Sequence, residues 1–445
     1  ARLPGSSANP MLAQLIGGKP GLKVLSKQDL ADPQQTQNWL AHYNAMPNVK
    51  AIGLDTSMVS PAKALIDACH QLAPHRGGMA KPMRVLICGI PNVGKSTLFN
   101  CLSNAKAQAA NFPFCTIEPN IGTVNVPDPR LQALEAIVDP ERVVPATVEI
   151  VDIAGLVKGA SQGEGLGNMF LGNIRECHAI LHVLRCFDNP NIVHVDGSIN
   201  PLRDKETIDF ELQLKDLESL EKRIDKVRKS AKTGAKEAVR EVEMADRLKK
   251  HLEQGKSVRS FERTEEETAW IEDYQLLTDK PVLYVCNVDE TAAKDGNDYV
   301  RQIAAMAAEE GAGVMHLAVA IESDIIELES FEERQMFLDD LGLEEPGVNR
   351  IIRAAYSLLK LQTYFTAGVK EVRAWTIEEG FTAPQAAGVI HSDFEKGFIR
   401  AEVIAYQDYV HYKSEAAVKE AGKMRVEGKE YRVKDGDVMH FRFNV

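Results

Sequence analysis

The feature that most constrains this chain is the pattern G-x-x-x-x-G-K-S over residues 89–96, set between an apolar run and a helix opening. Val85-Leu86-Ile87-Cys88 reads as a buried parallel strand, and Thr97-Leu98-Phe99 begins the helix. In that context the glycines let successive backbone N–H groups face an anion, and the helix N-terminus adds positive partial charge. A chance glycine-rich turn is the alternative, but both the spacing and the flanking elements fit a cradle for nucleotide phosphates. The backbone at Asn92, Val93, Gly94 and Thr97 would line it, Lys95 would span the β and γ phosphates, and the Ser96 hydroxyl would ligate Mg2+. Such a cradle implies an α/β domain with a mostly parallel sheet.

At 445 residues the chain has room for about three domains. An apolar share of 44 % with 26 % charged residues places it among ordinary soluble globular proteins. It holds no run of eighteen apolar residues, and its first residues lack the charged-then-apolar order of a secretory leader, so a cytoplasmic location and no membrane partner are expected. Seven cysteines are scattered without a C-x-x-C pair, which points to reduced core thiols rather than a disulfide or zinc framework. A net charge of −12 argues against wholesale polyanion binding and leaves local patches open.

Ahead of the cradle, residues 1–82 read as an α/β half-domain: strand 22–25, a helix from about 32 to 44, strand 49–54 and a helix 61–72. The first strand ends in Ser26-Lys27-Gln28-Asp29, a variant of the N-K-x-D element with which GTPases read guanine; a polar turn after a strand is the alternative. Beyond the cradle, Thr116 in NFPFCTIE is suited to a switch whose hydroxyl meets Mg2+ when a γ-phosphate is present. Strand 148–151 delivers Asp152-Ile-Ala-Gly155, a D-x-x-G element in which Asp152 would hold Mg2+ and the Gly155 N–H would sense the γ-phosphate. Ras-type enzymes place a water-orienting Gln next; here Leu156 cannot do that work. A glycine-rich loop follows at 159–168, then strand 179–184, then His194 in a loop. A lone histidine is by default structural, but the missing Gln makes His194 a catalytic candidate alongside Lys95.

Residues 205–254 carry apolar side chains at three- and four-residue spacing, Phe210 and Leu220 among them, broken at Thr233-Gly234, which predicts an antiparallel helical hairpin. Its stretch 222–240 has eight Lys or Arg against two acids, either a solvated face or an RNA-contacting edge. Strand 281–286 delivers Asn287-Val288-Asp289-Glu290 at the base-reading position. With Val288 in place of Lys and a longer carboxylate at Glu290, guanine reading is spoiled, and Asn287 with Glu290 suits a base with an exocyclic amine donor, as adenine has. A helical region over 331–361 precedes a small α+β tail with strands at 369–376, 397–406, 429–433 and 437–443 and a helix at 383–392.

Two resemblances follow from these residues. The segment ARLPGSSANPML…VLSKQDLADP…GLDTS…GIPNVGKS, over about residues 1–98, resembles circularly permuted ribosome-assembly GTPases of the YlqF/RbgA type, with Ser26 where Asn is usual. The run NFPFCTIEPN…VDIAGLVKGASQGEGLGN…HVLRCF…NVDE…LQTYFTAGVKEVRAW…HSDFEKGFIRAEV…KDGDVMHFRFNV, over about 83–445, resembles the Obg-like ATPase (YchF) family. That likeness implies a P-loop domain over 83–204 and 276–361, a coiled-coil insertion over 205–275, and a ubiquitin-like TGS domain over 362–445. It also implies ATP preferred over GTP, with Asn287 and Glu290 as the base-reading pair, His194 replacing the missing Gln, and association with ribosomes or ribosomal RNA. Asp289 departs from the uncharged residue usual there, and residues 1–82 have no counterpart in that family. The expectation is a monomeric, ribosome-associated ATPase. The competing readings are a ribosome-assembly GTPase using Asp29 and a nucleotide-gated RNA or ribosome scaffold with negligible turnover.

Overall fold

The computed structural model describes residues 21–26, 33–44, 49–54, 83–103, 120–152, 166–231 and 236–444. By its internal contacts the chain divides into two units, residues 1–80 with 387–397 and 445, and residues 81–386 with 398–444. In the first, strands β1 (Gly21–Ser26) and β2 (Val49–Leu54) lie parallel, Ser26 opposite Leu54, with α1 (Pro33–Asn44) between them in sequence. Asp29 lies outside the described residues.

The second unit is built on two sheets. Strands β3 (Arg84–Cys88), β4 (Asn120–Asn125), β6 (Thr147–Asp152), β7 (Ala179–Arg185), β8 (Val282–Asn287) and β9 (Gly313–Leu317) form one, in the order β4-β6-β3-β7-β8-β9; the short β5 (Val143–Val144) belongs to the other. Every neighbour pair in the first is parallel except β4 with β6. Parallel strands buried on both faces need continuous apolar runs rather than alternation, and every residue of β7 and β8 is buried. Parallel alignment also brings the strand ends Cys88, Asp152, Arg185 and Asn287 to one edge of the sheet, where doubly wound folds bind their ligands.

Around this sheet run α2 (Lys95–Ser103), α3 (Pro129–Val138), α4 (Leu166–Glu176), α8 (Asp298–Glu310), α9 (Val319–Glu327), α10 (Phe331–Asp340) and α11 (Gly347–Leu358). The sequence reading passed over α3. Its signal was the Asp128-Pro129 pair, an N-cap carboxylate accepting from the Arg130 N–H with proline at the first helical position. The helical hairpin is α5 (Pro201–Ala231) with α6 (Lys236–Glu253), closed by α7 (Glu265–Tyr274). Leu220, Ile224, Met244, Ala245, Leu248, Leu252 and Ile271 form its own core. Phe210, expected on the apolar face, is exposed, because the buried stripe runs through Ile208, Leu212, Leu220 and Ile224.

The C-terminal sheet has the order β13-β12-β14-β10-β11-β5, with β10 (Leu361–Gly368), β11 (Glu371–Glu378), β12 (Phe398–Ala405), β13 (Arg425–Glu427) and β14 (Asp437–Phe443). The first and last of its own strands, β10 and β14, lie parallel at the centre, the ubiquitin-like arrangement. Between β11 and β12 come α12 (Ala383–Ile390) and α13 (Ser392–Lys396), and after β12 come α14 (Tyr406–Tyr412) and α15 (Glu415–Glu420). Two expectations for this tail need correction. The strand β10 begins at Leu361, where a helix was expected to end, and 429–433 is no strand but a segment with one isolated bridge, Thr382 to Arg432.

Candidate functional site

At the edge where the parallel strands end, the phosphate loop turns from β3 into α2 through backbone that tolerates few side chains. A Cβ at Gly89 would lie 2.6 Å from the Val183 carbonyl oxygen, and one at Gly94 (φ 91°) would lie 2.5 Å from Asn287 Nδ2. Asn92 adopts φ 64°, a left-handed conformation that asparagine takes more readily than most residues. Its Nδ2 donates to the Val193 carbonyl at 3.1 Å, tying the phosphate loop to the loop that carries His194. Leu98 N–H to Gly94 O, 2.9 Å, closes the first turn of α2, and Ser96 and Thr97 sit half-buried in it.

Lys95 and Asp152 are both buried, and Lys95 Nζ pairs with Asp152 Oδ1 at the end of β6. A buried carboxylate is stable only with such a partner. The pair thus brings the cation of the cradle against the carboxylate expected to hold a metal. The oxygen donors Ser96 and Asp152 fit a hard divalent ion such as Mg2+. Thr116 and Gly155, the other residues expected at the phosphates, lie outside the described residues, as does Leu156.

Asn287 is the best-connected of the expected base readers. Buried at the end of β8, it donates from Nδ2 to the Val93 carbonyl at 3.0 Å and accepts at Oδ1 from the Val319 N–H at 3.1 Å. It therefore braces the phosphate loop against the start of α9. Val288 is buried, and its N–H donates to Leu317 O at 3.0 Å. Glu290 is exposed at the start of a short 3-10 turn. Asp289, the departure noted in the sequence, caps that turn: its Oδ1 accepts from Ala292 N–H at 3.1 Å and from the Thr291 hydroxyl at 2.5 Å.

His194 is 8 % exposed with both ring nitrogens engaged. Nδ1 accepts from the Asp196 N–H at 3.1 Å and must be the unprotonated nitrogen, so Nε2–H donates to Asp204 Oδ2 at 2.9 Å. Asp204, in the first turn of α5, also pairs with Arg203 at 3.0 Å. The structure thus sets the His194 loop against the phosphate loop through Val193 while the imidazole itself turns to the foot of the hairpin. Asp204 was missed in the sequence; an acid in the first turn of a helix ten residues past the histidine was the available signal.

On the hairpin, much of the basic surplus is paired internally: Lys222 with Glu218 at 2.5 Å, Arg223 with Asp273 at 2.5 Å, Arg228 with Asp246 at 2.8 Å, and Arg240 with Glu266 at 2.8 Å. Lys226 and Lys229 are exposed. Lys232 lies outside the described residues.

Residues 361–444 match the family model YchF-GTPase_C, described as a protein of unknown function (DUF933), and residues 84–223 match MMR_HSR1, a 50S ribosome-binding GTPase. The ribosome-binding ATPase YchF of Haemophilus influenzae is 59 % identical over 359 residues, 81 % of this chain and 98 % of that protein. The protein of the same name from Bacillus subtilis is 56 % identical over 361 residues, with the same 81 % and 98 % coverage. The solved Schizosaccharomyces pombe YchF GTPase superposes with a TM-score of 0.72 at 38 % identity, covering 82 % of this chain and 98 % of that one. Sequence identity along nearly the whole length of these relatives, with the same two-sheet fold, shows that the chain belongs to the YchF family.

Proposed function

We propose that this protein is a ribosome-associated switch that binds ATP in preference to GTP and hydrolyses it. The observation that carries the reading is the strand end after β8. Val288 is buried where guanine readers extend a lysine, and the exposed Glu290 offers a carboxylate to the exocyclic amine of adenine. The phosphates lie along the backbone of residues 92–97 with Lys95 at the β and γ positions, and Asn287 holds the loop to the base side. Mg2+, held through Ser96 and Asp152, would neutralise charge on the β and γ phosphates. His194 stands in for the missing Gln, its imidazole turning from Asp204 to hold the attacking water. Curated relatives named as ribosome-binding ATPases support the ribosome as partner. The domain division read from sequence is carried forward with the hairpin insertion beginning at Pro201 and the TGS domain at Leu361. A cytoplasmic site of action accords with that partner, and no described helix is long and apolar enough to cross a membrane.

Paired titrations with ATP and GTP, with turnover measured with and without ribosomes, test the proposal. ATP binds more tightly by at least the ~1–3 kcal/mol of one good bidentate base contact. Equal or stronger GTP binding overturns the base assignment and favours the permuted-GTPase reading of Asp29, and turnover absent under both conditions leaves a nucleotide-gated scaffold.

A further inference from the structure

The loop after β7 is wrapped around a buried cation. Arg185, the last residue of β7, is 1 % exposed and forms no ion pair among the described residues. Its guanidinium instead donates to three carbonyls of the loop that follows: Nε to Phe187 O at 3.3 Å, Nη2 to Asn189 O at 3.0 Å, and Nη1 to Ile192 O at 3.0 Å. The Phe187 ring lies 4.8 Å from the guanidinium carbon. Burying a charge is costly, the carboxylates of Asp188 and Asp204 act on this one only from beyond ion-pair distance, and an apolar side chain would complete this apolar strand without that cost. The three hydrogen bonds offset it, and all three fix the backbone leading to His194.

We propose that Arg185 is a positioning residue for hydrolysis, holding the backbone that presents His194 to the phosphates; the inference rests on the catalytic reading of His194 given above. The carbonyl of Ile192 is held from the sheet side by Arg185, and the next carbonyl, of Val193, is held from the phosphate side by Asn92. With two successive peptide units fixed ahead of it, His194 keeps only its own side-chain rotation between Asp204 and the phosphates. The arginine is itself anchored where it matters. Its backbone stands in register with Asn287, and the following residue, Cys186, donates its N–H to Asn287 O at 2.8 Å. The base-side strand, the phosphate loop and the His194 loop thus share one rigid connection. A lysine could not replace it, because a single ammonium on a flexible stem does not reach three carbonyls spread over six residues, as the planar five-donor fork does.

The test is a double-mutant cycle in the full chain, pairing Arg185→Lys with His194→Ala and reading kcat, KM for ATP and affinity for a non-hydrolysable ATP analogue. Arg185→Lys should lower kcat by roughly tenfold, since displacements near 1 Å can cost up to a hundredfold, while KM and analogue affinity stay within about twofold. In the His194→Ala background the same change should lower kcat by less than about twofold, because the group it positions is gone. A loss of equal size in both backgrounds, or a folded Arg185→Lys protein with parental kcat, overturns the proposal. A His194→Ala protein with parental kcat overturns the catalytic reading beneath it and is recognised from that single variant. Should Arg185→Lys fail to fold, Arg185→Gln, whose single amide donor group cannot bond all three carbonyls, is judged by the same criterion.

Discussion

Replacing Asn287 with alanine separates bracing from base reading. The change removes the side chain that joins Val93 O at 3.0 Å to Val319 N–H at 3.1 Å, in surroundings where Asn287 is 5 % exposed. Two backbone groups are left without partners, each costing ~1–3 kcal/mol when buried, and partial relaxation brings the sum to about 2–4 kcal/mol. For a nucleotide domain of this size each kcal/mol lowers the melting temperature by roughly 2–4 °C, so the variant melts on the order of 10 °C below the parent in calorimetry. Because the brace holds the phosphate loop, which ATP and GTP share, titrations show both affinities falling together. Glu290→Ala instead changes the ratio of ATP to GTP affinity and leaves the melting temperature where it was, since Glu290 is exposed. Asn287→Asp is the informative control: it keeps an acceptor for Val319 N–H and sets a carboxylate against the Val93 carbonyl. An Asn287→Ala protein that melts within about 1 °C of the parent, or that loses ATP affinity alone, refutes the bracing role.

Lys95→Ala leaves Asp152 buried and unpaired, which costs ~3–5 kcal/mol of stability and removes tight ATP binding; calorimetry with nucleotide titration checks both, and parental affinity would contradict the cradle. His182, wholly buried in β7, has its pKa pushed down to about 3, by burial first and then by Lys205 and Arg259. Since its unfolded value is near 6.5, the unfolded chain binds the extra proton between those limits, so stability is full above about pH 6.5 and falls with pH, by ~2 kcal/mol at pH 5. Denaturation at pH 7 and pH 5 shows this slope reduced in His182→Leu. Reversing Lys226 and Lys229 to Glu weakens co-sedimentation with ribosomes and flattens its salt dependence while sparing ATP affinity, whereas Arg228→Glu breaks a surface pair worth only ~0–1 kcal/mol; unchanged sedimentation marks the stripe as a solvated face.

What could be read from the sequence was what is decided locally. The cradle declares itself because a strand, a glycine turn and a helix start must be contiguous for backbone N–H groups to converge, and Asp152 and Asn287 follow because each ends an apolar run. The strand β10 did not, because Leu358, Leu359 and Leu361 continue the apolar spacing of α11. Residues 361–368 extend only through eight cross-strand pairings with β11 and the parallel contact of Phe365 with Val438, which are made far along the chain. The orientation of His194 is likewise a tertiary matter: its residue type suggested chemistry, but the hydrogen bond to Asp204 depends on where α5 begins. Arg185 follows the apolar run 179–184 in the sequence, and nothing local marks an arginine that will be buried by its own loop.

The nucleotide sheet and the C-terminal sheet are not separate beads on the chain. Strand β5 lies parallel to β11, Val143 opposite Val372 and Val144 opposite Arg373, and is flanked by hydrogen bonds from Glu141 N–H to Val369 O at 2.9 Å and from Val372 N–H to Arg142 O at 3.1 Å. Two residues later β6 begins, and it ends at Asp152 against Lys95. The linking pair is Pro145-Ala146, in which proline fixes one backbone dihedral and the Ala146 carbonyl accepts from Val126 N–H at 2.8 Å. From the other side Arg130 of α3 lies 5.2 Å from the Phe365 ring centre and pairs with Asp435 at 2.6 Å. The C-terminal sheet is therefore joined to the nucleotide sheet through β5, two residues ahead of the strand that ends at Asp152, and through the pair of Arg130 with Asp435.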